Sequence, residues 1–489
     1  MALLAVAATL GLAAPGCATS GRAATSTTTT TATTATVPGP RTSTTEPDAP
    51  AEPDTVDPSL TDVPDEVFAG LGDPRIDVAD YQVRLRAEPG RDEVAGTARL
   101  RLAATTADPL PSFTLDLRGP RATQVLVDGR RAQVSTEPTS SRSRRRPLEP
   151  GESTSVVITY AGSPSRRRSP LEVPVGWQPD DRGGWFTMNE PFGASSWVPV
   201  NDHPSDKATW TITLDTPASV TGVANGRLRS RQAVAGRRRW VWETDQPMAS
   251  YLAFVAIGDY DLVERDGAEG TEVVFAFPPD LSPDERAAFD QLDPILSFFS
   301  DTFGPYPDDD AGAAVVDTSL GLAMETQTRP LFGSDAFRAA ARGRWPTRWR
   351  TSGTERRQPG TLAGPLAQRV LRHLRRLAVA RVPGRGLGPR AQRRAWGALG
   401  RGLAVLDPEA AATFDGAVYE GGARALHALR LEAGDDDFFE LLRRWFADNR
   451  GRSVTTEDFL ALARKVTDAD VDAWADEWLR NPDPPELPR

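Results

Sequence analysis

Trp197-Val198-Pro199-Val200-Asn201-Asp202-His203-Pro204-Ser205-Asp206-Lys207-Ala208-Thr209 sits within a long series of short segments in which apolar and polar residues alternate. Thr209 to Leu214 follows directly on it. Ala79 to Leu85, Thr97 to Leu102 and Ser155 to Tyr160 precede it, and Trp240 to Glu243 comes later. Period-two alternation punctuated by Gly and Pro marks strands that turn one face to a core. Residues 63–264 therefore read as a β-domain. Beyond Ser282 the apolar spacing lengthens to that of helices, first over Pro283 to Phe299 and then throughout Gly421 to Leu479. Within that last stretch Thr455-Thr456-Glu457-Asp458 has the composition of a helix start, and Phe459, Leu462 and Val466 fall on one face. The fold class is α+β, with the sheets first and a mostly helical domain over 265–489.

A chain of 489 residues accommodates two or three domains, each with its own core. The net charge of -10 argues against nucleic acid as the main partner, because a phosphate backbone attracts a basic face. Lys207 and Lys465 are the only lysines, so nearly all positive charge is Arg. A single cysteine rules out an internal disulfide framework.

The position of that cysteine is informative. Met1 to Ala14 is an apolar run too short to span a bilayer, and it ends in Ala14-Pro15-Gly16-Cys17, like a bacterial lipoprotein cleavage site. Residues 1–17 are expected to be a signal segment, with Cys17 carrying lipid that anchors the protein to the outer face of the membrane. A plain secretory signal and a buried helix are the other readings. Residues 18–62, rich in Thr, Ser, Ala and Pro, have too little apolar surface to offset ordering entropy and read as a disordered tether.

Five ordered blocks resemble the aminopeptidase N family of zinc metallo-aminopeptidases. The block from Trp197 to Thr209 is similar to the family's run of aromatic, Pro, Asp and Lys-Ala. Met248-Ala249-Ser250-Tyr251-Leu252 with Ile257-Gly258-Asp259-Tyr260 resembles the end of its saddle-like β-domain, and Phe303-Gly304-Pro305-Tyr306-Pro307 the entry to its thermolysin-like domain. Gly321-Leu322-Ala323-Met324-Glu325-Thr326-Gln327-Thr328 is similar to its Gly-Ala-Met-Glu-Asn strand. Val418-Tyr419-Glu420-Gly421-Gly422-Ala423 matches its Tyr-Glu-Lys-Gly block, with Gly421 where Lys is usual.

The resemblance implies roles. Glu325, on an edge strand lining a cleft, would hold the α-ammonium of a peptide N-terminus by charge-assisted hydrogen bonds, with Glu190 as a second anchor and Ala323 and Met324 beside the substrate. Tyr419 would donate its phenolic hydrogen to the oxyanion of the tetrahedral intermediate. Glu325 and Tyr419 each have a plainer reading, a solvated strand carboxylate or a packed tyrosine, which the family context outweighs; for Glu190 the two readings stand even.

The family's zinc helix, His-Glu-x-x-His with a third ligand Glu after eighteen further residues, is missing. The chain has only His203, His373 and His427, with no metal spacing between any two, and so no metal ligands can be assigned. Where the helix belongs, Arg338 to Arg401 holds seventeen Arg and one acid, Glu355. Residues 338–402 read as a frame-shifted translation. Thr347 to Glu355, back-translated and read from the last base of codon 346, permits His-Glu-Val-Ala-His-Gln-Trp-Tyr-Gly. Leu362 to Leu374, read one base later than its own frame, permits Trp-Gln-Asp-Leu-Trp-Leu-Asn-Glu-Ser-Phe-Ala-Thr-Tyr. The hidden second His and hidden ligand Glu codons lie 56 bases apart, one short of the 57 that nineteen codons need, so one lost base accounts for both frames.

The expectation is thus an aminopeptidase by family, with zinc as the family's cofactor and peptide N-termini as partners, in a chain that does not turn over as it stands. The alternatives are a non-catalytic peptide-binding lipoprotein and a basic surface adhesin using the Arg run.

Overall fold

The computed structural model describes residues 70–136, 139–142, 147–169, 173–320, 323–335 and 416–483, with 485 and 487; for 133–136, 139–142, 269 and 416–420 it describes the backbone alone. Cys17, residues 18–62 and the stretch 338–402 with His373 lie outside the described residues. The described residues form a β-sheet-rich N-terminal part and a C-terminal part with the helices, a mixed α+β fold.

The first sheet runs, in spatial order, through Arg227–Val234, Arg237–Glu243, Lys207–Pro217, Ile76–Ala87, Val94–Ala104, Ser153–Gly162, Arg121–Val127 and Arg130–Arg131. Ile76–Ala87 and Lys207–Pro217 pair in parallel; its other neighbours are antiparallel. The expected alternation is visible in the burial: Tyr81, Val83 and Leu85 point inward while Gln82, Arg84 and Arg86 face water. A second sheet, Thr221–Ala224, Val255–Gly258, Trp185–Met188, Pro174–Pro179 and Arg167–Arg168, supplies the facing layer with Trp177, Trp185, Phe186 and Ile257.

The Trp197–Thr209 block fastens the first strand. Trp197, Val198 and Val200 are core residues. Asn201 accepts from the Asp73 amide at 2.6 Å and donates to Asp206 at 2.6 Å, and Asp206 accepts from the Val78 amide. The Asn201 amide donates to the Tyr81 hydroxyl at 2.9 Å, while the Tyr81 ring stacks on Trp210 at 4.1 Å. Polar groups taken out of water at a strand start must find such partners.

The third sheet, in the order Asp261–Asp266, Glu272–Phe277, Asp310–Val316, Leu331–Gly333 and Ala323–Met324, belongs to the second part. Glu272–Phe277, Asp310–Val316 and Leu331–Gly333 are parallel neighbours, so both faces need cover. Val274, Ala276, Ala314, Val316 and Leu331 join the β-domain core. Val273, Phe275, Phe277, Ala313, Val315 and Phe332 pack instead on Phe289, Leu292 and Leu296.

The helical pattern from Pro283 is interrupted. Ser282 caps Pro283–Arg286 in a reciprocal box with Glu285, a 3-10 turn follows over Ala287–Gln291, and the regular helix is Leu292–Phe303. That helix gives Leu292 and Leu296 to the sheet and Phe299 and Phe303 to a last cluster, built with Gly416–Ala433, Asp435–Asp448, Thr456–Val466 and Val471–Ala475. Thr455 caps Thr456–Val466 through a box with Asp458. The buried face differs from the expected stripe: Leu460 and Ala463 lie deepest, with Phe459, Leu462 and Val466 half-buried, because the helix is packed on two sides, by Asp435–Asp448 and Val471–Ala475.

Candidate functional site

Ala323–Met324 is the edge strand of the third sheet, antiparallel to Leu331–Gly333, and Glu325 is the first residue beyond it. Met324 and Glu325 are buried and Ala323 half-buried. The residues after Glu325 are nailed into the seam between the sheets. Thr326 Oγ1 donates to the Arg329 carbonyl at 2.6 Å, the Gly226 amide donates to Thr328 Oγ1 at 2.9 Å, and the Asn225 side chain donates to the Gln327 carbonyl. Thr328 has φ +56, a conformation costly for a β-branched residue, so these bonds must hold it there.

Arg329 closes the seam from below. Its guanidinium, 0% exposed, donates to the carbonyls of Val274 (2.6 Å), Ala311 (2.9 Å) and Gly226 (2.7 Å), lies 3.3 Å from Asp310, and stands over the Trp242 ring. Five N–H donors in a planar fork suit one side chain to so many fixed acceptors. Gly226 has φ +84, and a Cβ there would collide with the Glu243 carbonyl, so glycine is required where Arg329 and Thr328 converge.

Glu190, half-buried, follows Asn189, whose side chain donates to the Ala253 carbonyl at 2.6 Å and accepts from Trp197 Nε1 at 3.2 Å. The neighbouring Leu252 carbonyl accepts from the Gln327 amide at 3.4 Å and from Asn225 Nδ2 at 3.2 Å. The loops of Glu190 and Glu325 are therefore both moored to Leu252–Ala253. Tyr419 lies in the helix Gly416–Ala433, and its side chain is outside the described set. Sequence reading did not pick out Asn225, Arg329 or Ala253, and it gave Asn189 and Leu252 no role of their own. Asn225-Gly226 carries a turn signal, but nothing in it announces a bond reaching Gln327.

Electrostatically the seam is acidic. Burial, with Asp310 nearby, pushes Asp308 up to about 6, and its carboxylate accepts from Gln327 Nε2 at 3.4 Å. Burial also raises Asp310, against the pull of Arg329.

The zinc donors are a different matter. His203, buried, is hydrogen-bonded at Nδ1 to Ser205 Oγ at 2.6 Å within the β-domain, and burial lowers the pKa of His427 in the helical cluster. Among the described residues no three His, Cys, Asp or Glu side chains converge as a metal ion requires. The described donors do not fit zinc.

The Peptidase M1 N-terminal domain profile matches residues 181–252. Aminopeptidase M1-B of Oryza sativa subsp. japonica is 28% identical over 130 residues, 26% of this chain and 15% of its own length. Aminopeptidase 2, mitochondrial, of Saccharomyces cerevisiae is 31% identical over 142 residues, 28% of this chain and 15% of its own. The matched region thus spans less than a sixth of these curated relatives. An M1 zinc metallopeptidase from Deinococcus radiodurans, a mutant solved with a Tyr-Ser-Ala substrate, superposes with a TM-score of 0.74 at 26% identity, covering 87% of this chain and 99% of that one. Without the mutation it superposes at 0.73, covering 87% and 98%.

The order of sheets followed by a third sheet and helices matches the fold of a two-domain M1 zinc metallopeptidase. Residues 181–252 thus carry a Peptidase M1 N-terminal domain match, and the described chain is similar in fold to M1 zinc metallopeptidases.

Proposed function

We propose that the chain carries the substrate-recognising frame of a metallo-aminopeptidase that removes N-terminal residues from peptides outside the cell, and that in its present sequence it binds peptide N-termini without cleaving them. The observation that carries this reading is the edge strand Ala323–Met324 delivering Glu325 to the seam where the Glu190 loop is also moored. A carboxylate held against an α-ammonium confines recognition to the chain end, since an internal amide offers no charge there. Tyr419 is assigned the oxyanion donor. Zinc is the family's metal and supplies an activated water when bound. The described donors do not fit it, and the family's ligand helix is absent from the sequence.

The same reading takes residues 338–402 as frame-shifted and Cys17 as the lipid anchor. The deciding comparison is between the present protein and a variant whose codons 346–374 are returned to the alternative frames. Given zinc and an aminoacyl anilide, the present protein should release no reporter and the restored one should. Turnover by the present protein would overturn the reading.

A further inference from the structure

The turn between the helices Asp435–Asp448 and Thr456–Val466 touches both other units of the molecule. Lys207 Nζ donates to the Arg452 carbonyl at 2.6 Å, and Ser453 Oγ donates to the Ser205 carbonyl at 3.2 Å. Arg450 Nη2 donates to the Pro307 carbonyl. Lys207 and Ser205 belong to the β-domain, Pro307 leads into the strand Asp310–Val316, and the turn belongs to the helical cluster.

Both ends of the Lys207 contact are rigid. Lys207 opens the strand Lys207–Pro217 and pairs with Ala249, so its backbone is fixed by the sheet. On the other side the turn runs directly into the Thr455–Asp458 capping box, and Asp435–Asp448 is held to Leu292–Phe303 by Phe303 on Phe446 at 5.5 Å. A charged donor on a long stem bridges the gap, and burial lowers its pKa to about 8. A charged hydrogen bond between two stiff elements transmits position, where a flexible surface pair would not.

We infer that Lys207 is a positioning residue that latches the helical cluster onto the β-domain in one orientation. Helix Gly416–Ala433 carries Tyr419 and packs in that cluster, so the latch sets where Tyr419 stands relative to Glu190 and Glu325. That consequence rests on the functional reading above, whereas the latch itself does not.

Two measurements test it on the full chain. Lys207 and Lys465 are the only lysines, and Lys465 is exposed, so limited acetylation read by mass spectrometry carries its own control. Because burial lowers the Lys207 pKa and so raises its share of reactive neutral amine, the comparison is between proteins: relative to Lys465, Lys207 should react several-fold more slowly in the parent than in Ser453→Ala. An equal relative rate in the two would overturn the latch. Separately, spin labels at Gln232→Cys and Ala473→Cys, with Cys17→Ser, report the distance between the two units. The parent should give one narrow distribution, Lys207→Met a broad one with a longer component, and Lys207→Arg the narrow one again. A distribution in Lys207→Met as narrow as the parent's would sink the proposal. Ser453→Ala, which leaves the sheet untouched, should broaden the distribution to a lesser degree and covers the case in which Lys207→Met does not fold.

Discussion

The side-chain amide of Asn225, 1% exposed, donates to the main-chain carbonyl of Gln327 across the seam between the β-domain and the peptidase-type sheet. The same Asn225 donates to Leu252 and accepts from the Phe254 amide, so one residue ties three segments that surround the candidate site. Replacing it by Leu keeps the volume and removes every bond. The fold should lose about 2–4 kcal/mol, from buried groups left unpaired. Urea unfolding measures the loss; a change under 1 kcal/mol would mean that the seam has another anchor.

Arg329→Met tests the other anchor. Its removal leaves the carbonyls of Val274, Ala311 and Gly226 without their donor and Asp310 buried without its cation. Breaking a buried pair from one side costs roughly 3–5 kcal/mol. The double variant with Asp310→Asn should recover part of that loss, which a thermal-melt cycle would detect.

Glu325→Gln keeps the shape and removes the charge. If Glu325 holds an α-ammonium, peptide affinity should fall about tenfold or more, on the order of 1.5–3 kcal/mol for a hydrogen bond to a charged group. An N-acetylated peptide should lose its binding to the parent in parallel. Calorimetry with both ligands decides it: equal affinity of free and acetylated peptides would remove the amine from the recognition.

In a protein with the zinc helix restored, Tyr419→Phe should reduce kcat by roughly 100-fold to 1000-fold with little change in KM, the signature of a donor used only in the transition state. A rise in KM alone would assign Tyr419 to ground-state binding.

Asp202 gives the stability a pH slope. Burial, and then Asp116 beside it, pushes its carboxyl up to about 6 from an ordinary 3.8, while Ser250 Oγ donates to it at 2.6 Å. The folded state thus holds a proton that the unfolded chain has released, and its contribution is fully present below about pH 4 and lost as pH rises through about 6. The difference amounts to roughly 3 kcal/mol. Asp202→Asn should flatten the stability profile by up to about one proton across that window in urea titrations; an unchanged slope would leave it to Asp206 and Asp308, which burial also raises.

Strands and helices were legible from the chain because their signal is local. The alternation in Ala79 to Leu85, the helix start at Thr455–Asp458 and the helical spacing beyond Ser282 each follow from backbone geometry repeating every two or 3.6 residues. Glu325 could be singled out because it stands in a contiguous block, Gly321 to Thr328, whose residue order is itself the signal. The joins were not legible. Nothing near Asn225 in sequence names Gln327, and Lys207 and Arg452 lie 245 positions apart. Such contacts depend on where whole sheets and helices come to rest, a matter of summed packing rather than of any periodic pattern. The tertiary structure alone therefore decided that the Glu190 and Glu325 loops share the Leu252–Ala253 mooring, that Arg329 lies under Thr328, and that one lysine reaches from the sheet to the helical cluster.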